Sequence, residues 1–216
     1  MYEIEIPSLY LLAGIMVYAT IHHLSIALKP PRNYMQMLFA GICLCAVQVA
    51  IFHSQSLQAT NVIDFVRALK GTLAAGVLFY ILFIWFIALR TGIRPRFLLV
   101  ALTALFTGMF VVNLTQPYSL QYDQLDGLYT LHLPWGEAVT RGKGHNGPWM
   151  FIAVAGVIVA FGYALYALGS VFHRDRRRTD LFIMLAIGIF LFSQMLLDCF
   201  IRTVGVSDEK RAIFRH

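Results

Sequence analysis

The chain has 216 residues, 59% of them hydrophobic and 13% charged, with a mean hydropathy of +0.70. Soluble domains average about 45–50% apolar and about 25% charged residues, so this composition excludes an ordinary water-soluble domain and points to a polytopic membrane protein. The formal net charge of +6 is no argument for nucleic acid, because the basic residues sit mostly in short connections between apolar runs, where they act as topology signals.

Crossing a bilayer takes about 20 apolar residues. Six segments meet or approach that length: 7–28, 34–53, 68–89, 96–115, 149–172 and 181–202. The first follows Glu3 and Glu5 and lacks a small-residue cleavage site, so it reads as a retained helix and not a signal peptide. Lys29-Pro30-Pro31-Arg32-Asn33 can only be a tight turn between antiparallel neighbours, and Arg90 to Arg96 is similar, with Gly92 and Pro95 as helix stops. Segment 116–148 is the long connection. Its residues 128–133 alternate in polarity, Asp126-Gly127 is a hairpin signal between two short strand-like stretches, Pro134-Trp135-Gly136 breaks the second, and Gly142, Gly144 and Gly147 loosen the remainder of the connection. His173 to Arg178 is a charged block at a helix end. Cys43, Cys45 and Cys199 lie in apolar runs without CxxC spacing and read as small buried residues. The expected fold is an all-α polytopic membrane protein: a six-helix transmembrane bundle over residues 1–206 with a small exterior loop or β-hairpin cap at 116–148, then a polar tail at 207–216.

Basic residues orient such a bundle. The first, third and fifth connections hold Lys29, Arg32, Arg90, Arg94, Arg96, Arg174, Arg176, Arg177 and Arg178, whereas the second and fourth hold Arg67, Lys70, Arg141 and Lys143. The odd connections are therefore expected in the cytoplasm and the N-terminus outside. Arg202, Lys210, Arg211 and Arg215 resist this pattern, since six spans would leave the tail outside too.

That topology decides what the histidines can do. His22 and His23 lie about six residues, roughly 9 Å, inside the cytoplasmic end of the first helix, whereas His53 falls at the outer end of the second. A haem needs both axial ligands at one depth, so His22 and His23 are read as packing or relay residues. The outer half carries the denser polar set. Asp198 and Arg202 share one helix face four residues apart, and an intramembrane Asp faces a partner or a wet cavity. Either they form a structural ion pair or they line a ligand pocket roofed by the loop, with His53, Arg67 and Trp135. Asn113-Leu114-Thr115 fits a glycosylation acceptor but is discounted at a helix end. No phosphate loop, HExxH or nucleophile elbow is present, so no enzyme, no catalytic residue, no metal site and no cofactor is expected, with haem or pigment the least favoured reading.

Four features, in order, resemble the N-terminal multi-helix membrane region of bacterial sensor proteins, histidine kinases and diguanylate cyclases among them. They are Ile21-His22-His23-Leu24 before a short basic turn; Gly127-Leu128 leading to Leu133-Pro134-Trp135-Gly136-Glu137; the basic block before the last long helix; and Leu197-Asp198 ending near Gly205. The resemblance covers residues 5–206. It implies a bacterial inner-membrane, seven-helix signal-input region feeding a cytoplasmic PAS, kinase or cyclase module. This chain departs from that pattern after Val206, where neither the seventh helix nor an effector follows. Two expectations result: a non-catalytic sensor-like module for a small or membrane-borne ligand, or an accessory subunit of a photosynthetic or respiratory membrane complex. The expected partners are the lipid bilayer and either a second copy or a larger membrane assembly, with no nucleic acid.

Overall fold

The structure, a computed structural model, describes residues 5–132 and 138–175. Five α-helices and one two-stranded sheet follow in the order α1 (Glu5–Ala27), α2 (Tyr34–Leu57), α3 (Val62–Thr91), α4 (Arg96–Thr115), β1 (Tyr122–His132), β2 (Ala138–Asn146) and α5 (Pro148–Asp175). All five helices are long and apolar enough to cross a membrane. The expected sixth span at 181–202 and the tail at 207–216 lie outside the described residues, as do Trp135, Asp198 and Arg202. The chain divides into two compact units, residues 1–164 and 165–216. The first holds α1 to α4, the sheet and the beginning of α5. In the second, the end of α5 buries Ala167, Leu168 and Val171, and Ser170 donates to the Tyr166 carbonyl at 2.8 Å.

Local chemistry sets the helix limits. Asn33 caps α2 by accepting the Gln36 N–H at 3.3 Å. Asn61 caps α3 by accepting the Asp64 N–H at 2.9 Å, and its amide donates back to the Asp64 carboxylate at 2.7 Å. α3 therefore begins at Val62, ahead of the start at 68 read from hydropathy, because the Asn61 cap starts the helix before Asp64 and Arg67, the charges that interrupt its apolar run. α3 ends at Gly92, whose φ of 74° is left-handed and whose N–H reaches the Ala88 carbonyl at 3.1 Å. Pro95 stands immediately before α4, where its missing N–H costs the helix no bond.

Short connections make consecutive helices antiparallel, and α1 packs on α2, α2 on α3 and α3 on α4. Aromatic contacts fill the interior: Phe39 against Phe86 at 5.6 Å, Tyr80 stacked on Phe106 at 5.4 Å, and Phe161 against Phe83 at 5.5 Å. Polar tips on these apolar helices find partners, as apolar surroundings require. Trp85 Nε1 donates to Thr103 Oγ1 at 3.1 Å, and the Tyr163 hydroxyl donates to the Ile93 carbonyl at 2.8 Å. Gly71 lets α2 and α3 meet closely, since a β-carbon there would lie 2.6 Å from the Phe52 ring. Helix α1 is peripheral: 6% of its most apolar stretch is buried, against 28–39% in the other helices.

The 116–148 connection forms a hairpin, but not the one expected. β1 runs unbroken from Tyr122 to His132 and pairs antiparallel with β2, Leu131 opposite Val139 and Thr130 opposite Thr140. Asp126-Gly127 is thus not the turn. It sits at a register shift between Leu125 and Gly127, where a bulge accommodates the residues that favour turns. Gly142 and Gly144 are strand residues rather than part of a loose segment. Gly144 is required by close approach, because a β-carbon would stand 2.2 Å from the Gln124 carbonyl oxygen.

Asn113 anchors the hairpin's entry. Fully buried near the end of α4, it donates to the Lys70 carbonyl at 2.9 Å and accepts the Leu120 N–H at 3.2 Å. A side chain held this way is not open to glycosylation. Replacing it with leucine strips the buried Leu120 N–H of its acceptor, at an expected cost of about 1–3 kcal/mol. Thermal unfolding in detergent should show Asn113→Leu well below the wild type, and equal stabilities would refute the anchoring role.

Candidate functional site

One end of unit 1 joins the C-terminus of α2, the N-terminus of α3 and the hairpin. Ala59, Phe65 and Leu69 form a buried cluster there, against which Tyr122, Leu125 and Leu128 of β1 pack. Thr140 of β2 donates to the Ala59 carbonyl at 3.0 Å, tying the second strand to the α2–α3 connection. Gly142 fits because a β-carbon would crowd Leu125 and Phe65 at 2.9 Å. The hairpin is therefore a docked cap on these helix ends, held by apolar contact and by bonds to main-chain groups.

Docking carries Arg141 toward the helices. Its strand packs against α2, which carries the half-buried His53 near its end, and the Arg141 charge acts on the Tyr122 phenol. Tyr129 stands opposite Arg141 in the strand register, on the same face of the sheet. The Tyr122 hydroxyl donates to the Gly142 carbonyl at 3.3 Å. One guanidinium, one imidazole and two phenols thus gather where strand meets helix. Such a set can present a fixed positive charge with hydroxyl and ring-nitrogen partners to an anionic or hydrogen-bonding ligand.

Of the residues expected at a pocket wall, His53 is at this seam. Arg67 stands on α3, 78% exposed, beside Asp64 at 3.5 Å; exposed pairs of this kind contribute little. Trp135, Asp198 and Arg202 fall outside the described residues. Arg141 is absent from the expected set because in sequence it counts only as a loop charge. The register supplies the missing signal: once His132 pairs with Ala138, Arg141 must face Tyr129.

His22 and His23 lie at the other end of α1 and α2. His23 Nδ1 is 2.5 Å from Gln36 Oε1, so in this amide orientation the ring nitrogen donates and Nε2 is left as the acceptor. Its ring also meets Phe39 at 4.5 Å and His22 at 5.2 Å, and the exposed His22 stacks on Tyr18 at 6.1 Å. Gln36 and His53 are 17 residues apart on one helix, roughly 25 Å along its axis. One iron cannot be ligated by His23 and His53 together. Among the described residues no three of His, Cys, Asp and Glu gather to hold a metal ion, and Cys43 and Cys45 are free, buried thiols.

Comparisons with protein-family models, curated proteins and solved structures give no match for this chain.

The Tyr122 phenol is pushed above its ordinary value of 10.0, first by burial and then by Tyr129, with Arg141 opposing. A raised folded value means that the protonated phenol is favoured in the docked cap. Cap stability is then full below pH about 10 and falls as pH rises through the folded value. An alkaline titration followed by phenolate absorbance and by hairpin protease sensitivity should show the cap loosening above pH about 10. In Tyr122→Phe this alkaline loss should shrink; an unchanged profile would remove Tyr122 as its source.

Proposed function

We propose that the chain is a non-catalytic signal-input module of a bacterial inner membrane, in which the hairpin cap and the α2 end form the ligand-responsive seam. The observation that carries this reading is the docking of β2 on the end of α2, where Thr140 bonds the Ala59 carbonyl and Arg141 follows it in the strand. A ligand that bridges β2 and α2 would stabilise the docked arrangement. Only such a difference in affinity between cap positions can shift the helices beneath. Arg67, in the second turn of α3 at the same end, is a further candidate for this seam.

Charge distribution supports the orientation. Lys29, Arg32, Arg90, Arg94 and Arg96 belong to connections at the end opposite the cap, which favours that end as cytoplasmic and the cap and N-terminus as external. The ligand class is then small molecules or membrane-borne groups that reach the outer face.

A second reading, an accessory subunit of a larger membrane complex such as a photosynthetic or respiratory one, draws on α1. Tyr10, Leu11, Tyr18 and Ile21 are 51%, 67%, 72% and 64% exposed, a surface that partner helices or lipid could cover.

The test attaches an environment-sensitive fluorophore to the exposed cap (Lys143→Cys, with the native cysteines replaced by alanine) in liposome-reconstituted protein. Lipid extracts and a panel of small anionic and neutral compounds are then titrated. At least one class should shift the signal, and Arg141→Gln or His53→Ala should weaken that response about tenfold, as loss of a charge-assisted contact implies. No response, or one that both variants leave intact, defeats the reading. Recovery of wild type in a stoichiometric heteromeric complex by native gel and mass spectrometry would favour the subunit instead.

A further inference from the structure

Most amides at the helix ends and in the interior are held. Gln36 lies against His23, Gln58 donates to the Ser54 carbonyl at 3.2 Å, and Asn113 bridges Lys70 and Leu120. Gln48 differs. It is exposed, and its amide has no partner among the described residues. It stands nine residues before Leu57 in an apolar 24-residue helix, roughly 13 Å from that end. A side chain this short cannot snorkel such a distance to the interface. An amide facing hydrocarbon loses its water partners without replacement, which is costly.

Gln48 is also not alone on its face. Met37, Leu44, Gln48 and Gln55 are all exposed and, at 3.6 residues per turn, fall within roughly 40° of one another around α2. They form a straight seam with an amide inside the span, a second near its end and apolar side chains before them. Whatever covers this seam must offer a donor and an acceptor at the depth of Gln48.

We propose that this α2 face is a self-association surface, on which Gln48 of two copies of the chain exchange reciprocal hydrogen bonds. A second copy inserted in the same orientation necessarily presents its Gln48 at the same depth. Under a two-fold axis normal to the membrane the same patch meets itself. The amide is self-complementary, with one carbonyl acceptor and an NH2 donor, so each Gln48 Nε2 donates to the other's Oε1 and both are satisfied. Met37 and Leu44 pack beside the pair, and Gln55, two turns on, repeats the arrangement near the helix end. This association does not depend on the cap's responding to a ligand.

The experiment mixes donor- and acceptor-labelled full-length protein in liposomes and follows energy transfer as lipid dilutes protein. Wild type should associate reversibly, and Gln48→Leu should weaken association about tenfold, the scale of interhelical amide bonds in lipid. Helicity by circular dichroism should not change, because leucine suits a lipid-facing site. Mixed pairs of wild type with Gln48→Leu should be nearly as weak as the variant with itself, since a reciprocal pair needs both amides. Wild type that remains monomeric at the highest protein density overturns the proposal, whether or not it co-purifies with another membrane protein. So does a Gln48→Leu variant that associates as wild type does.

Discussion

A buried amide near the end of α4 governs how the polar part of this chain meets its apolar part. Asn113 satisfies a main-chain carbonyl of α3 and the Leu120 N–H leading into the hairpin. Main-chain groups buried without partners are costly, so the chain leaving α4 must pass the α3 helix at that point. The hairpin beyond it has little freedom. Thr140 bonds the α2–α3 connection, and Tyr122, Leu125 and Leu128 close over Phe65. The position of Arg141 in β2, at the end of α2, follows from that docking.

Polar satisfaction explains both ends of α2. At its start, His23 and Gln36 answer each other within an aromatic row that runs from Tyr18 through Phe39 to Phe86. At its end, Ser54 and Ser56 turn their hydroxyls onto the Ile51 and His53 carbonyls, which leaves the His53 ring to the cap. Between these ends the buried face carries Ala40, Cys43, Cys45, Val47 and Ala50, small enough for close contact with α1 and α3. The seam with Gln48 is what remains. One helix thus meets α1, α3 and the cap by distributing small and aromatic side chains around its circumference.

Much of the helical fold is legible in hydropathy because span length is imposed by the bilayer and apolar runs of that length are rare otherwise. α1, α2, α4 and α5 start and end close to the expected residues. α3 does not, since Asp64 and Arg67 interrupt the apolar run of its first turns, and the Asn61 cap that starts the helix is invisible to hydropathy. The hairpin is legible in its alternation, but its turn is not: Asp126-Gly127 suits a bulge as well as a turn. That ambiguity hides the site. With the turn at Asp126, Arg141 belongs to a loop and has no neighbour; with β1 continuing to His132, it faces Tyr129 and approaches α2. His53 can be singled out from depth alone, whereas its partner depends on strand register, a property of the pairing and not of either segment.

Amide hydrogen exchange in bilayer-reconstituted protein addresses the docked cap most directly. If the hairpin is held on the helix ends as described, the Leu120 N–H and the β1 and β2 ladder amides should exchange far more slowly than an open loop. Asn113→Leu should release this protection in the hairpin while the central turns of α2 and α3 remain protected. Hairpin amides that exchange at loop rates in the wild type, or that stay protected in Asn113→Leu, would contradict the account.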